Sequence, residues 1–319
     1  MINIRKCAII GAGNVGATTA FSLMQSGLFS ELLLIDLDRK RAEGEASDLG
    51  HTIPFLSPLE IYAGDYPDLA DAALIVITAG AAQKEGETRL DLVRRNAEIL
   101  QAVVKSICRY NTEGILLVVT NPVDILTEIA RRVSGFPACR VIGSGTVLDT
   151  ARLKFLLGDH LGVDPRNVHA FIIGEHGDTE LPVFSSANIS GVDLDHFCNK
   201  DCPRCKDSDL NRLFEQTRDA AYHIIAAKGS TYYAIAEAVR RIATAILRDE
   251  NAILPVSVAA DGIYGLNGLC LSLPAILGRS GVKRVLEIPL SPDEDAMLHR
   301  SAIRMAEVLR ELQRMPSTL

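Results

Sequence analysis

Residues 6 to 17 read Lys6-Cys7-Ala8-Ile9-Ile10-Gly11-Ala12-Gly13-Asn14-Val15-Gly16-Ala17, and this stretch decides the fold. An apolar run ends in three glycines with the spacing G-x-G-x-x-G, and an amphipathic run follows them. This order predicts a strand, a tight turn and a helix, the context in which such a glycine pattern is informative. The turn places a helix N-terminus where it can hold phosphate groups. The stretch therefore predicts the first strand and helix of a doubly wound α/β domain.

Asp36 ends the next predicted strand and is placed to accept hydrogen bonds from a ribose. A carboxylate at this position would repel a ribose phosphate, so the pattern favours NAD over NADP as the cofactor. Gly11 permits the tight turn, Gly13 lets the backbone approach a pyrophosphate, and Gly16 allows close packing of helix and strand. The predicted cofactor-binding residues at this end of the domain are Gly11, Gly13, Asn14, Val15, Gly16 and Asp36.

The alternation of strand and helix continues to about residue 143. Each strand candidate is a continuous apolar run bounded by turn residues, which suits a parallel sheet covered by helices on both faces. The predicted strands are Lys6 to Ile10, Leu32 to Ile35, Leu74 to Thr78, Ile115 to Thr120 and Arg140 to Ile142, and the predicted helices are Ala17 to Ser26, Lys40 to Leu49, Leu90 to Arg109 and Val123 to Val133. We therefore expect a doubly wound parallel (Rossmann) domain over residues 1–143.

The pattern changes after residue 143, where long helical stretches alternate less regularly with short strand-like runs. The predicted helices are Leu148 to Leu161, Ser208 to Ala227, Thr231 to Arg248 and one from about Ser291, and the predicted strands are Val168 to Ile173, Ile253 to Ala259 and Leu269 to Leu273, with a hairpin around Gly278 to Gly281. No linker rich in Pro, Gly or Ser separates the halves. We expect a mixed α+β second domain over residues 144–319 that binds substrate and packs closely against the first domain.

The composition excludes several classes of protein. The net charge of −7 argues against nucleic acid as a partner, because phosphate binding needs a basic face. No apolar run is long enough to span a membrane, and the N-terminal segment is too short for a signal peptide. The sequence therefore predicts a cytoplasmic protein with a substantial core, since 48% of its residues are hydrophobic.

The seven cysteines, an odd number, are typical of reduced thiols rather than of a disulfide framework. Cys198, Cys202 and Cys205 lie close together next to His196, but only Cys202 and Cys205 have the C-x2-C spacing of zinc sites. We expect a polar loop with incidental thiols and no metal cofactor. Zinc retained at near one equivalent per chain would contradict this expectation.

His176 lies in the run Ile173-Gly174-Glu175-His176-Gly177-Asp178. A histidine between two glycines and two carboxylates indicates an exposed proton carrier rather than a core residue. Asp149 and Arg152 are three residues apart, so they project from nearly the same face of a predicted helix. Together the three residues predict an acid–base pair beside a cation that binds an anion. With the glycine turn, they favour reduction of a small keto acid by a nicotinamide cofactor.

Six ordered blocks of the sequence resemble the L-lactate dehydrogenases of the lactate/malate dehydrogenase family, bacterial ones in particular. The blocks are Gly11 to Gly16, Gln83 to Leu90, Asn121 to Asp124, Asp149 to Arg152, Gly174 to Asp178 and Lys228 to Thr231. The resemblance extends over residues 5 to 314. It implies an NAD-dependent oxidoreductase of glycolysis and fermentation that assembles as a homotetramer.

The resemblance also implies roles for particular residues. His176 would give a proton to the keto oxygen, or take one in the reverse reaction, while Asp149 holds its other ring nitrogen. Arg152 would grip the substrate carboxylate with its planar guanidinium group, and Arg89 would reach the carbonyl oxygen from a mobile loop. The resemblance further implies that the substrate is contacted by Gln83, Asn121 and Thr231. It implies that the cofactor is contacted by Asn121 and Ile235.

The side chain that faces the substrate tail decides between lactate and malate enzymes. Malate enzymes of the family typically carry arginine for a second carboxylate where this chain has Gln83. A neutral amide beside Thr231 suits the methyl group of pyruvate, and the unpaired carboxylate of oxaloacetate would be penalised. The predicted substrates are pyruvate and lactate. The alternatives are a malate or other 2-hydroxyacid dehydrogenase and, from another class, a catalytically idle NAD-binding protein.

Many bacterial L-lactate dehydrogenases, the group that this sequence resembles, are activated by fructose 1,6-bisphosphate. Their activator site uses an arginine two residues beyond the substrate-binding arginine and a histidine seven before the catalytic one. This chain has His169 at the second position but Lys154 at the first. Lysine meets phosphate as a point charge without bidentate geometry. The sequence predicts weak or altered activation, and the alternative is that Lys154 is an ordinary solvated helix charge.

Overall fold

In this computed structural model the described residues are 1–82, 86, 88–197 and 207–314. Only the backbone is described for Arg89, Asp207, Ser208, Gln313 and Arg314. Gln83 and the three clustered cysteines, Cys198, Cys202 and Cys205, lie outside the described residues. No helix in the described part of the chain combines the length and the apolar character that crossing a membrane requires.

A parallel sheet forms the first half of the described chain. Its strands are β1 (Asn3–Ile10), β2 (Glu31–Ile35), β3 (Glu60–Ala63), β4 (Ala72–Ile77), β5 (Ile115–Val118) and β6 (Val141–Gly143), and they lie side by side in the order β3-β2-β1-β4-β5-β6. The order reverses between β1 and β4, so a crevice opens there at the carboxyl ends of the strands. The predicted doubly wound sheet is therefore confirmed.

Helices cover both faces of this sheet. They are α1 (Asn14–Gln25), α2 (Arg39–Gly50), α3 (Arg89–Cys108) and α4 (Val123–Ser134). Leu33 and Leu34 are neighbours in β2 and both fully buried, yet they belong to hydrophobic cores on opposite sides of the sheet. Successive strand residues point to opposite faces, so a strand buried on both sides has a continuous apolar sequence.

The second half of the described chain is mixed α+β. Its elements are α5 (Val147–Leu161), β7 (Val168–Ile173), β8 (Leu181–Ile189), β9 (Val192–Asp193), α6 (Leu194–Phe197), α7 (Asp207–Lys228), α8 (Tyr233–Leu247), β10 (Ala252–Ala259), β11 (Cys270–Gly278), β12 (Gly281–Val285) and α9 (Pro292–Arg314). Strands β7, β8 and β9 form a separate antiparallel sheet, whereas β10, β11 and β12 extend the first sheet beyond β6. The two halves therefore share one sheet, which the apolar runs did not reveal because they carry no information about pairing partners.

Several element boundaries differ from the sequence predictions. Strand β3 was not predicted because Ile61 and Tyr62 are only partly buried at the sheet edge, and β8 was not predicted because Pro182 and two serines interrupt its apolar pattern. The prediction of a helix from Thr231 was wrong, since α8 begins at Tyr233 and Thr231 precedes it. Thr231 and Ile235 therefore do not share one helix face.

A two-bond bridge joins the two sheets where the chain leaves β7. Gly174 and Ser272 of β11 exchange backbone hydrogen bonds, each with an N–O distance of 2.9 Å. Gly174 has a φ of +92°, a conformation that L side chains rarely adopt. The bridge anchors the segment that carries His176 against the large sheet.

Candidate active site

The glycine turn between β1 and α1 leaves open space in front of the helix. A Cβ atom on Gly11 would lie 2.6 Å from the backbone nitrogen of Ala79, and one on Gly16 would lie 1.8 Å from the carbonyl oxygen of Gly11. A Cβ atom on Gly13 would meet nothing within 4 Å, and no side chain caps the start of α1. Two glycines therefore allow close packing, while the third borders free space beside uncapped N–H groups that suit an anion.

Asp36 lies beside this turn at the carboxyl end of β2. Its Oδ2 accepts a hydrogen bond from the N–H of Ala12 at 2.6 Å, and its Oδ1 accepts one from the N–H of Asp38 at 2.9 Å. These bonds hold the half-buried carboxylate, whose remaining lone pairs suit ribose hydroxyl groups. The free space at Gly13 and the held carboxylate together fit a dinucleotide such as NAD.

The turn also contacts the segment between α7 and α8. Asn14 donates a hydrogen bond from its Nδ2 to the Oγ of Ser230 at 3.0 Å. This contact brings the chain next to Thr231 towards the cofactor turn. Thr231 itself is half-buried, and Ile235 is half-buried in α8 and packs against the core.

His176, Asp149 and Arg152 come together as the sequence predicts. The Nδ1 of His176 lies 2.6 Å from the Oδ2 of Asp149, and the Nη1 of Arg152 donates to the Oδ1 of Asp149 at 2.9 Å. Asp149 is 2% exposed in the first turn of α5, whereas the His176 side chain is 23% exposed. A buried carboxylate thus holds one nitrogen of an accessible imidazole and, on its other oxygen, a guanidinium group.

The charges of this cluster shift the pKa values of its members. Burial lowers the pKa of His176, but the charge and hydrogen bond of Asp149 outweigh burial and raise this pKa to about 9. Burial raises the pKa of Asp149, but the charges and hydrogen bonds of His176 and Arg152 outweigh it and hold this pKa below its ordinary value. At neutral pH the pair is therefore an imidazolium and a carboxylate.

Asp124 in the first turn of α4 holds the backbone of His176. Its Oδ2 accepts a hydrogen bond from the N–H of His176 at 2.7 Å, and its Oδ1 accepts one from the Oγ of Ser272 at 2.9 Å. Asp124 is 1% exposed, and burial raises its pKa to about 6. Asp124 belongs to one of the family blocks in the sequence, but no role was predicted for it. The available signal was a carboxylate in the first turn of an otherwise apolar helix.

A further buried carboxyl group, that of Glu180, was also missed. Glu180 immediately precedes β8, and it is 3% exposed. One of its carboxyl oxygens lies within 4.8 Å of a ring nitrogen of His176 and of a carboxylate oxygen of Asp149. The sequence signal for Glu180 was its position four residues after His176, between Thr179 and the apolar start of a strand.

The remaining predicted residues are less closely tied to this cluster. Asn121 follows the end of β5 and is exposed, and its carbonyl oxygen accepts a hydrogen bond from Asn96 at 2.9 Å. Lys154 is half-buried on α5, and burial lowers its pKa, while His169 is exposed on β7. Arg89 is the first residue of α3, but its side chain is outside the described part of the structure.

The fold, the glycine turn and the histidine–carboxylate pair define the class of NAD-dependent dehydrogenases. Residues 5–143 match the lactate/malate dehydrogenase NAD binding domain, and residues 146–314 match the lactate/malate dehydrogenase alpha/beta C-terminal domain. The chain belongs to the lactate/malate dehydrogenase family.

Individual relatives match over nearly their whole length. An L-lactate dehydrogenase of Acetivibrio thermocellus is 52% identical over 97% of this chain and 98% of its own, and one of Priestia megaterium is 54% identical over 93% of each. A solved lactate dehydrogenase from a Medee basin deep-sea metagenome library has a TM-score of 0.95 at 43% identity, covering 98% of this chain and all of its own. A ligand-bound minor L-lactate dehydrogenase of Enterococcus mundtii has a TM-score of 0.94 at 40% identity, covering 98% of this chain and 99% of its own.

Proposed function

We propose that this chain is an NAD-dependent L-lactate dehydrogenase that interconverts pyruvate and (S)-lactate. The observation that carries the proposal is the cluster in which Asp149 holds both the imidazole of His176 and the guanidinium of Arg152. The similarity to L-lactate dehydrogenases of several bacteria supports it. When bound, the reduced cofactor NADH would supply a hydride to the keto carbon, and its oxidised form NAD+ would accept a hydride in the reverse direction.

His176 is proposed as the proton donor for pyruvate reduction. Its raised pKa keeps the imidazole charged at neutral pH, and Nδ1 is engaged by Asp149, so the transferable proton is on Nε2. After donation the ring retains its Nδ1 proton towards Asp149, which fixes the tautomer. In lactate oxidation the same Nε2 takes the hydroxyl proton.

Arg152 is proposed to bind the substrate carboxylate. In the described structure Asp149 takes one of the five N–H groups of the guanidinium, which leaves further donors for a two-oxygen contact. Its side chain is 13% exposed, so the cation is partly shielded from water. A shielded cation binds an anion more strongly than one in bulk water.

The cofactor is proposed to contact both ends of the crevice. Gly11, Gly13, Asn14, Val15, Gly16 and Asp36 would hold the adenosine and phosphates, and Asn121 and Ile235 would lie near the nicotinamide. The open space at Gly13 and the held carboxylate of Asp36 support this assignment. We accordingly propose that residues 1–143 bind NAD and that residues 144–319 bind substrate and carry out catalysis, which the family matches over residues 5–143 and 146–314 support.

Arg89, Gln83 and Thr231 are proposed to contact the substrate, Arg89 at its carbonyl oxygen and Gln83 at its tail. The proposal for Gln83 rests on charge, because a neutral amide leaves the second carboxylate of oxaloacetate without a partner. NADH oxidation with pyruvate and with oxaloacetate in parallel tests the function. A preference for pyruvate is expected, whereas a preference for oxaloacetate would make the chain a malate dehydrogenase.

The variant Gln83→Arg tests directly whether Gln83 is the residue that selects pyruvate over oxaloacetate, which we call the selector. We expect the ratio of kcat/KM for oxaloacetate to that for pyruvate to rise, because the arginine supplies a cation for the second carboxylate. Glu43→Gln, on the surface of α2, serves as a control that changes an exposed polar side chain away from the site. An unchanged ratio in the Gln83→Arg protein would reject Gln83 as the selector.

A homotetramer, activation by fructose 1,6-bisphosphate through Lys154 and His169, and a cytoplasmic location are proposed as well. The odd number of cysteines supports a reducing compartment. Light scattering tests the assembly, since a tetramer has four times the 34.5 kDa mass of one chain. A dimer or monomer mass across the working concentration range would contradict it.

A further inference from the structure

The Glu180 carboxyl group is enclosed beside the proposed proton donor without a full set of partners. Its Oε1 has no hydrogen-bond partner among the described residues. The same carboxyl group lies within 4.8 Å of both His176 and Asp149. Burial of a carboxyl group with one unpartnered oxygen penalises the charged form and outweighs the backbone hydrogen bond from Gly177, so the environment of Glu180 favours the protonated form.

The charged groups that face Glu180 come from two helices as well as from its own segment. Asp149 and Arg152 face it from α5, Arg218 faces it from α7, and His176 lies on the preceding turn. Burial raises the pKa of Glu180 to about 8, and repulsion by Asp149 adds to this rise against the opposing charges of His176 and Arg152. Asp124 acts on His176 from the side of α4.

We propose that Glu180 is a positioning residue of this reaction centre whose carboxyl group, by gaining or losing a proton beside His176, sets the proton affinity of the imidazole. Glu180 acts through His176 and needs no contact with the substrate. The inference rests on the proposed function, because His176 matters as a proton donor only if the chain reduces a keto acid.

The physical basis is the interaction of two neighbouring titrating groups. An ionised Glu180 stabilises the imidazolium, whereas a neutral Glu180 leaves that task to Asp149. The two groups therefore titrate as a coupled pair, and the apparent pKa of His176 depends on Glu180. Removing the ability of residue 180 to ionise must lower the pKa of His176.

The test measures the titration of His176 without turnover. Diethyl pyrocarbonate reacts with neutral imidazole, so its rate at His176, followed by peptide mass spectrometry against pH, reports the midpoint of that ring. In Glu180→Gln we expect this midpoint to fall by about one pH unit, while Glu180→Asp retains the wild-type midpoint because it retains the charge. The exposed His169 is an internal reference whose curve should not change.

Two controls separate this role from a structural one. Glu294→Gln removes another buried carboxylate, one that accepts a hydrogen bond from the N–H of Ser185 at 3.0 Å, and it should leave the His176 curve unchanged. The acid limb of kcat/KM for lactate oxidation should move with the His176 midpoint in Glu180→Gln. An unchanged midpoint in Glu180→Gln, or equal shifts in Glu180→Gln and Glu180→Asp, would overturn the proposal.

The wild-type protein gives a test that needs no folded variant. A buried protonated carboxyl group shows an infrared C=O band that should disappear as the pH rises through about 8, the pKa of Glu180. Asp124 loses its band near pH 6 and is therefore distinguishable. The absence of a band that titrates near 8 overturns the role of Glu180, whereas absence of pyruvate turnover in the wild type contradicts the proposed function instead.

Discussion

The replacement Asp149→Asn removes one charge from the reaction centre while leaving its shape nearly unchanged. Asp149 lies 2.6 Å from the Nδ1 of His176, and against the opposing effect of burial its charge and hydrogen bond, with smaller contributions from Glu180 and Asp124, raise the pKa of that ring from an ordinary value of 6.5 to about 9. Since one pKa unit corresponds to about 1.4 kcal/mol, the surroundings favour the imidazolium by about 3.5 kcal/mol. Most of this preference should vanish with the carboxylate.

The consequence is that the proposed proton donor, His176, loses its proton at working pH. With a pKa near its ordinary value, only about a tenth of His176 carries a proton at about pH 7.5. We expect kcat/KM for pyruvate to fall on the order of 10- to 100-fold at that pH. A loss of about tenfold comes from the smaller protonated fraction of His176, and any further loss comes from the lost orientation of the ring. Much of the activity should return as the pH is lowered.

The assay is kcat/KM for pyruvate against pH, in which the alkaline limb reports the proton donor of the enzyme before pyruvate binds. The limb should lie near 9 in the wild type and move towards 6.5 in Asp149→Asn. Asp164→Asn is the matched control, because Asp164 also pairs with an arginine but on the surface. A uniformly lower profile whose limb stays near 9 would refute the electrostatic role of Asp149.

Three further predictions concern the cofactor turn, stability and regulation. Gly13→Val should fold normally yet weaken NADH binding at least about tenfold, because its side chain enters the open space in front of α1. Gly16→Ala should instead lower the unfolding temperature, because its Cβ atom clashes with the carbonyl oxygen of Gly11. NADH titration and calorimetry distinguish the two variants, and equal effects of both on binding and folding would contradict the assignment. The pKa values of His176 and Glu180 are raised on folding, so the native state holds extra protons, and the free energy of unfolding should fall by about 1 to 2 kcal/mol per pH unit between about 7 and 9. Denaturant titrations should show a shallower fall for Glu180→Gln, and a flat wild-type profile would contradict the shifts. Fructose 1,6-bisphosphate should activate weakly at subsaturating pyruvate, and Lys154→Ala should abolish the effect; a flat wild-type activation curve would reject this site.

The first half of the fold could be predicted from the sequence because its signals are local. An apolar run, glycines at fixed spacing and an amphipathic run specify β1, the turn and α1 through contacts between near neighbours in the chain. The edge strand β3 was missed because Ile61 and Tyr62 are partly buried and its run is short. The start of α8 was misplaced because Thr231 fits a helical pattern as well as it fits a preceding turn.

The candidate site was predictable where residues lie close in sequence or belong to a family block. Asp149 and Arg152 are three residues apart on α5, and their pairing follows from helix geometry. The substrate prediction depends on the neutral side chain of Gln83 alone. The contacts of Asp124 with His176 and Ser272 depended on segments far apart in the chain, and no local pattern indicates them.

The sequence by itself determined the alternation of most strands and helices in the first half, the glycine turn with its acidic partner Asp36, and the choice of His176 as the proposed proton donor, because these depend on short-range spacing and residue chemistry. Only the tertiary structure decided that β10 to β12 join the first sheet and that Gly174 bridges to Ser272. It also decided that Glu180 is buried beside His176. Burial and the distance between charges set pKa values, and both are properties of the folded chain rather than of the sequence of its neighbours.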